Sequence, residues 1–405
     1  MKISARYKAV LELMEAVFAD RQPADNIINA YFRERRFIGS GDRRFVSEKI
    51  WDIIRRRRRL TFEAGSADPR RMLIAYLKDE NLDEIFAGGE YGLPLLSTEE
   101  RELAVRLQTE DKIYPPAVEC ECPDWLFAKI KDPLLAKALN EPAGADFRVN
   151  RGSREEALRL LASEGLEAVP TPYSPLGIRL PGRLNLNNCM AYQDGVIEVQ
   201  DEASQLAALL CDVGPQDRTI DYCCGAGGKS LAMASLLKGQ GQIEAHDVNP
   251  RRLEQLKPRL ARLGIGNVKT VSAAEAGAVY TRFVIDAPCS GTGIWRRSPD
   301  AKFRLTAARL EELNLIQAEI LEKAYTLTAV GGRIIYITCS VLEDENGAIV
   351  KHFLEKHPDM ATVDMKALWR QKTGQPWLSG NKPWLELNPL ISGTDGFFVA
   401  VLEKR

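Results

Sequence analysis

Apolar residues in the first third of the chain recur at helical spacing. KAVLELMEAVFADR carries Val10, Leu11, Leu13, Met14 and Val17, the three-and-four spacing of an amphipathic helix. NIINAYFRERRFI follows, then a GSGD turn at 39–42, then RRFVSEKIWDIIRRRRR. PRRMLIAYLKDE and STEERELAVRLQ add two further helices, the second with Ser97 and Glu100 in capping-box register. The pattern breaks in EDKIYPPAVECECPDW, whose prolines suggest a linker, and resumes in DWLFAKIKDPLLAKALN. FRVN at 147–150 reads as a strand. SREEALRLLASEG reads as a helix, with Ser153 as N-cap and Gly165 past its end. Short strand candidates continue to Val199, so a small α/β module is expected.

From Gln200 onward strands and helices alternate. QDEASQLAALLCDV is a helix and RTIDYCC a strand, and the turn GAGG leads into the helix KSLAMASLLKG. GQIEAHD is a second strand, and PRRLEQLKPRLARLG a second helix interrupted by Pro258. VKTVSA and RFVID are strands three and four, and TAARLEELNLIQAEILEKAYTLT is a long helix. GGRIIYITCS is strand five, ENGAIVKHFLEKH a helix and DGFFVAVLE a final strand. This βαβ alternation predicts an α/β fold with a doubly wound, mostly parallel sheet. The expected domains are a helical 1–140, a small α/β 141–199 and a doubly wound 200–405.

At 405 residues the chain is too long for one core. No apolar run approaches the roughly 18 residues of a membrane span, and Glu12 and Glu15 interrupt what a signal peptide would keep apolar. The eight cysteines include no pair of CxxC units and only three His accompany them, which argues against a zinc site. A reducing cytoplasm fits this usage. Net charge is −1, but the charge is unevenly spread: eleven Lys and Arg face four Asp and Glu between Arg33 and Arg59, ending in Arg55, Arg56, Arg57, Arg58 and Arg59. Such a run is either a solvated helix face or a surface that contacts nucleic-acid phosphates.

The chemistry gathers at strand ends. DYCCGAGGKS, 221–230, is a strand, a glycine turn and a helix start. Gly228, Lys229 and Ser230 match the end of a P-loop, but position 223 holds Cys223 where the motif needs Gly, and the spacing of a dinucleotide motif also fails. Asp247 ends the second strand, where an acidic residue accepts hydrogen bonds from ribose hydroxyls. The pocket therefore suits a nucleoside ligand with no evident pyrophosphate site, and S-adenosylmethionine fits. RFVIDAPCSGTG places Asp286 and Cys289 just past strand four, and strand five delivers Cys339. A lone cysteine is usually a small buried hydrophobe, yet two thiols on one sheet edge suit a specific task. A thiolate that adds to C6 of a pyrimidine makes C5 nucleophilic toward a methyl group, and Asp286 can support the charge that develops at N3. In GIWRRSPDAKFR, Arg296, Arg297 and Lys302 offer phosphate contacts and Trp295 a stacking face for RNA. The alternative is a buried Trp295 in a solvated loop.

DAPCSGTG and TCS, preceded by the DxC…GGK turn and followed by DGFF, resemble the RsmB/Sun (Nol/Nop/Fmu) family of RNA cytosine-5 methyltransferases. The resemblance runs at least from Val199 to Leu402. RVN at 148–150 is similar to the start of the family's RNA-recognition-like subdomain, and DRRFVSEKIWDIIRRR to the NusB-like RNA-binding domain of its ribosomal-RNA members. It implies that Cys339 attacks C6 and that Cys289 assists release. It also implies that Cys223, Cys224, Gly225, Ala226, Gly227, Gly228, Lys229, Asp247 and Asp286 surround S-adenosylmethionine. Arg55, Arg56, Arg57, Arg296 and Arg297 are the expected RNA contacts, with ribosomal RNA ahead of transfer RNA. The chain departs from the family where Cys224, Gly225 and Ala226 replace Ala-Ala-Pro. It departs again after strand three, where Ala273 and Ala274 stand in place of an acid, with Glu275 one residue on. Two other readings remain open: a DNA cytosine-5 methyltransferase, with Cys289 as nucleophile, and an RNA-binding assembly factor without catalysis.

Overall fold

In the computed structural model, which describes residues 1–110, 112–181, 186–272 and 279–405, the apolar stripe of helix Ile3–Ala19 is enclosed at Val10, Leu13 and Met14. Helices Ala24–Glu34, Ser40–Arg55, Arg57–Ala64, Pro69–Tyr76 and Thr98–Thr109 share one hydrophobic core with it. The capping box at Ser97 and Glu100 forms as expected. Two local expectations are corrected. The GSGD segment is a helix start, with Gly39 as N-cap and Ser40 already helical. The proline-rich stretch is packed, since Pro116–Glu119 is a short helix and Cys120, Glu121 and Cys122 are buried. This helical unit comprises Met1–Glu141 and Trp295–Thr306. The second piece falls inside the span 200–405.

The other unit, Pro142–Ile294 with Ala307–Arg405, holds two sheets. The smaller has β1 Ala145–Val149, β2 Val169–Pro170, β3 Gly177–Leu180 and β4 Ile197–Val199, antiparallel in the order β2-β3-β1-β4. Helix Arg154–Ser163 closes its core through Ala157 and Leu161, opened by a capping box at Ser153 and Glu156.

The larger sheet contains β5 Arg218–Asp221, β6 Gln242–Ala245, β7 Val268–Thr270, β8 Tyr280–Asp286, β9 Thr328–Thr338, β10 Met360–Thr362, β11 Leu385–Leu387 and β12 Phe397–Lys404. Its order is β10-β12-β9-β8-β5-β6-β7, with β11 on β12. Strands β5 to β9 pair in parallel, and the C-terminal strands are antiparallel. Continuous apolar runs explain the parallel core: Phe283, Val284 and Ile285 in β8, and Ile334, Ile335, Tyr336 and Ile337 in β9, are all fully buried, as strands covered on both faces require. Helix Pro250–Leu263 continues through Pro258, correcting the expected interruption. Pro258 is exposed, so the backbone group it leaves unpaired faces water.

The chain runs from β5 to β6 and β7 on one side, then returns to β8 and β9 on the other. The switch point lies between β5 and β8, where an open α/β sheet forms its ligand crevice. Past β8, Gly293 donates to the Cys339 carbonyl at 3.0 Å and accepts from the Gly396 amide at 2.8 Å. A Cβ on Gly293 would lie 2.1 Å from the Gly396 carbonyl oxygen, so only glycine permits this crossing. Gly293→Ala is expected to destabilise the protein by roughly 1–3 kcal/mol, read as a lower urea midpoint. An unchanged midpoint would contradict the close approach.

Candidate active site at the carboxyl edge of the sheet

Strand β5 ends in Asp221, a fully buried carboxyl. Ser230 donates to its Oδ2 at 2.6 Å, while Oδ1 has no hydrogen-bond partner among the described residues. Burial pushes the Asp221 pKa up to about 7. The turn that follows needs left-handed backbone at Gly225 (φ 57°) and Gly227 (φ 82°). A Cβ at Gly227 would also strike Leu256 Cδ1 at 2.3 Å. A Cβ at Gly225 or Gly228 would meet nothing within 4 Å; both border open space. Asp247, nearly buried past the end of β6, accepts the Gly225 amide at 2.9 Å and the Asn249 amide at 2.8 Å. It therefore shapes the glycine turn and retains lone pairs for another donor. Arg259 donates to the Ala226 carbonyl at 2.5 Å. Burial, reinforced by Asp221, raises the thiol pKa of both Cys223 and Cys224, so the turn offers no ready thiolate. The open space over the glycines, the unpartnered Asp221 oxygen and the acceptors of Asp247 fit a nucleoside-bearing cofactor.

Lys229 and Asp286, both expected around the cofactor, pair with each other. The Lys229 ammonium meets Asp286 Oδ2 at 2.7 Å and lies 5.1 Å from the centre of the Phe397 ring. Burial opposes its charge, but the Asp286 carboxylate outweighs that and its pKa lies above the ordinary value. Three residues past Asp286, the Cys289 and Cys339 sulfurs stand 3.4 Å apart. Register produces this meeting: Asp286 pairs with Ile337, and the Ala287 amide donates to the Ile337 carbonyl at 2.8 Å. The hydrogen bond to Cys339, followed by burial, raises the Cys289 thiol well above the ordinary range. The two sulfurs share one contact in which either can be the donor.

A hydroxyl and carboxylate network pins the step on which Cys289 sits. Ser340 and Thr292 hydroxyls meet at 3.0 Å, the Val341 amide donates to Thr292 Oγ1 at 3.0 Å, and Thr338 donates to Asn346 at 2.6 Å. Glu345, fully buried, accepts the Ser290 amide at 2.8 Å and also the Ser290 hydroxyl. Sequence reading did not select Glu345, Gln317 or Asn346. The available signal was the ENG triplet five residues beyond Ser340, which opens a helix rather than closing a strand.

The basic residues divide. Arg55 donates to the Asn140 carbonyl at 2.8 Å and to the Arg296 carbonyl at 2.5 Å. The Arg57 guanidinium lies over Phe18 at 4.3 Å and Phe303 at 4.9 Å. Both side chains are half-buried and serve the packing of the helical unit, where sequence placed phosphate contacts. Arg56 and Arg297 are exposed and Arg296 is half-buried. Trp295 is buried, so it presents no stacking face. Lys302 is buried too, donating to Asn140 Oδ1 at 2.7 Å, and burial pulls its pKa down to about 8 against the pull of Glu121. Ala273, Ala274 and Glu275 lie outside the described residues.

Comparison with known proteins agrees with this geometry. Residues 208–403 match the family model described as 16S rRNA methyltransferase RsmB/F. Ribosomal RNA small subunit methyltransferase B of Pseudomonas putida is 32% identical over 305 residues, covering 71% of this chain and 68% of the relative. The crystal structure of PH0851 superposes with a TM-score of 0.78 at 23% identity, covering 100% of this chain and 99% of that one. NSun6 from Pyrococcus horikoshii, solved with SFG, superposes with a TM-score of 0.62 at 21% identity over 70% of this chain and 98% of its own. The two structures share the fold of this chain.

The raised Asp221 pKa has a measurable consequence. The folded value lies above the unfolded one, so the folded state holds the proton more tightly. The resulting stability is whole below roughly pH 4 and is lost as pH rises through about 7. Asp221→Asn, which stays neutral, is expected to gain on the wild type between pH 4 and pH 7, by up to ~1.4 kcal/mol per pH unit. Urea midpoints of both proteins across that range test this, and a constant difference would contradict it.

Proposed function

The chain belongs to the RsmB/F family of 16S ribosomal RNA methyltransferases, and from that premise we propose that Cys339 is its covalent nucleophile and Cys289 the thiol that releases the product. The enzyme is an S-adenosylmethionine-dependent RNA methyltransferase acting at cytosine C5. Its target is ribosomal RNA, the substrate in the names of its relatives, and we place it in the cytoplasm. Among the described residues no helix is long and apolar enough to cross a membrane. The observation that carries the assignment of roles is the 3.4 Å contact between two thiols at the carboxyl ends of β8 and β9.

The turn from Cys223 to Gly228, with Asp221 and Asp247, would hold the cofactor's nucleoside. Bound there, S-adenosylmethionine supplies an electrophilic methyl group. Cys339 Sγ adds to C6 of the target cytosine, and electron density moves into the ring. The Lys229–Asp286 pair at the end of β8 offsets the charge that gathers at N3 and O2. After C5 is methylated, its proton passes to a solvent base, the C5–H electron pair restores the ring double bond and the Sγ–C6 bond breaks, releasing Cys339 as a thiolate. Cys289 donates its S–H to the departing sulfur, which makes Cys339 a better leaving group. The helical residues 1–140 and the small sheet within 141–199 serve RNA binding in this reading, with Arg56, Arg296 and Arg297 contacting phosphates.

Methyl transfer to undermodified small-subunit ribosomal RNA, with labelled cofactor, tests the assignment. Cys339→Ala is expected to lose at least ~10³-fold in rate, and Cys289→Ala to accumulate a protein–RNA adduct on denaturing gels. Full activity in Cys339→Ala would overturn the assignment, and activity on transfer RNA alone would move the substrate to that class.

A further inference from the structure

Cys289 and Cys339 are chemically identical and 3.4 Å apart, so their division of labour must come from unlike surroundings. On the Cys339 side stands Lys229, whose ammonium is close enough for the two charges to interact. On the Cys289 side stands Glu345, fully buried. A buried carboxylate is costly unless its oxygens are satisfied. Here its described partners are hydrogen-bond donors and not a cation: the Ser290 amide at 2.8 Å, the Ser290 hydroxyl, and Gln317 Nε2 at 3.1 Å. The same Gln317 nitrogen donates to the Pro288 carbonyl at 2.9 Å. The residues immediately before and after Cys289 are therefore both tied to this one carboxylate. Tyr336 fixes the segment from the other direction, its hydroxyl donating to the Glu345 carbonyl at 2.8 Å.

We propose that Glu345 is a positioning residue for Cys289, fixing the 288–290 turn and keeping the thiol protonated so that it donates to Cys339 instead of competing as nucleophile. This rests on the reading of Cys339 as nucleophile given above. A negative charge beside a thiol disfavours the thiolate. The Cys289 proton is held first by its hydrogen bond to Cys339, then by burial, then by the charges of Cys339 and Glu345. The other titratable neighbour that senses Cys289 is Tyr336, itself raised by burial, while Asp286 is turned to Lys229. The Gly291 amide pulls the other way, toward the thiolate.

The test uses the full-length protein as wild type, Glu345→Gln and Glu345→Asp. Alkylation of Cys289 by iodoacetamide is followed against pH by peptide mass spectrometry, alongside methyl transfer and adduct accumulation on ribosomal RNA. Glu345→Gln is expected to shift the Cys289 alkylation midpoint down by roughly one pH unit, a tenfold rise in thiolate at fixed pH, and to accumulate the protein–RNA adduct. Glu345→Asp, which keeps the charge, should stay near the wild-type profile. A folded Glu345→Gln with an unchanged midpoint and no adduct would overturn the proposal. Should Glu345→Gln not fold, Ser290→Ala removes the hydroxyl contact to Glu345, with weaker ones to Thr292 and Ser340, at a half-buried site. It is expected to accumulate adduct with turnover down roughly fivefold to tenfold, and wild-type turnover there would overturn the proposal instead. Alkylation needs no RNA, so it fails independently of the nucleophile assignment, which fails only if Cys339→Ala keeps its activity.

Discussion

The parallel register of β8 on β9 is the constraint on which the site depends. Asp286 lies opposite Ile337, and the Ala287 amide bonds the Ile337 carbonyl at 2.8 Å. Two residues further along each path the chain has placed Cys289 and Cys339 within van der Waals reach. A slip of one residue would turn every side chain of the strand to the opposite face and part the sulfurs. The register is locked beyond the sheet as well. Gly293 bonds the Cys339 carbonyl and the Gly396 amide at once, which ties the loop after β8 to both β9 and the start of β12.

The same edge concentrates groups that a stability-driven core would avoid. Asp221 is buried with one oxygen unpaired, Lys229 and Asp286 form a largely enclosed ion pair, and Glu345 is a buried carboxylate met by donors. Buried ionisable groups gathered in a crevice, with Asp221 and Lys229 titrating away from their ordinary values, are a mark of function. They also separate two tasks in space. The glycine turn with Asp221 and Asp247 belongs to the strand ends on one side of the switch point. The thiols and the Lys229–Asp286 pair belong to β8 and β9 on the other. Lys229 links the halves, rising from the turn to reach across to Asp286.

How far the sequence revealed this depended on the separation of the partners. The glycine turn, Asp247, Asp286 and the two cysteines at the sheet edge were legible because each sits within a few residues of a strand end that its own apolar run announces. The pairing of Lys229 with Asp286 was not legible because the two lie far apart along the chain, and the turn motif suggests a ligand. Glu345 escaped notice for the same reason, since Ser290 and Gln317 reach it only in the folded state. The arginine run poses a different difficulty. Charge density says nothing of what lies opposite, and Arg55 and Arg57 find carbonyls and aromatic rings inside the helical unit. β10 and β11, three residues each, are too short to carry a period.

The identity of the sulfur that joins the RNA is the most direct test of the account. A small-subunit ribosomal RNA fragment carrying 5-fluorocytosine would be incubated with the wild-type enzyme and S-adenosylmethionine. Fluorine at C5 cannot leave as a proton does, so the covalent adduct persists and can be mapped by proteolysis and mass spectrometry. The account predicts a cross-link at Cys339 Sγ. A cross-link at Cys289, or no adduct from an enzyme that methylates the ordinary RNA, would contradict it.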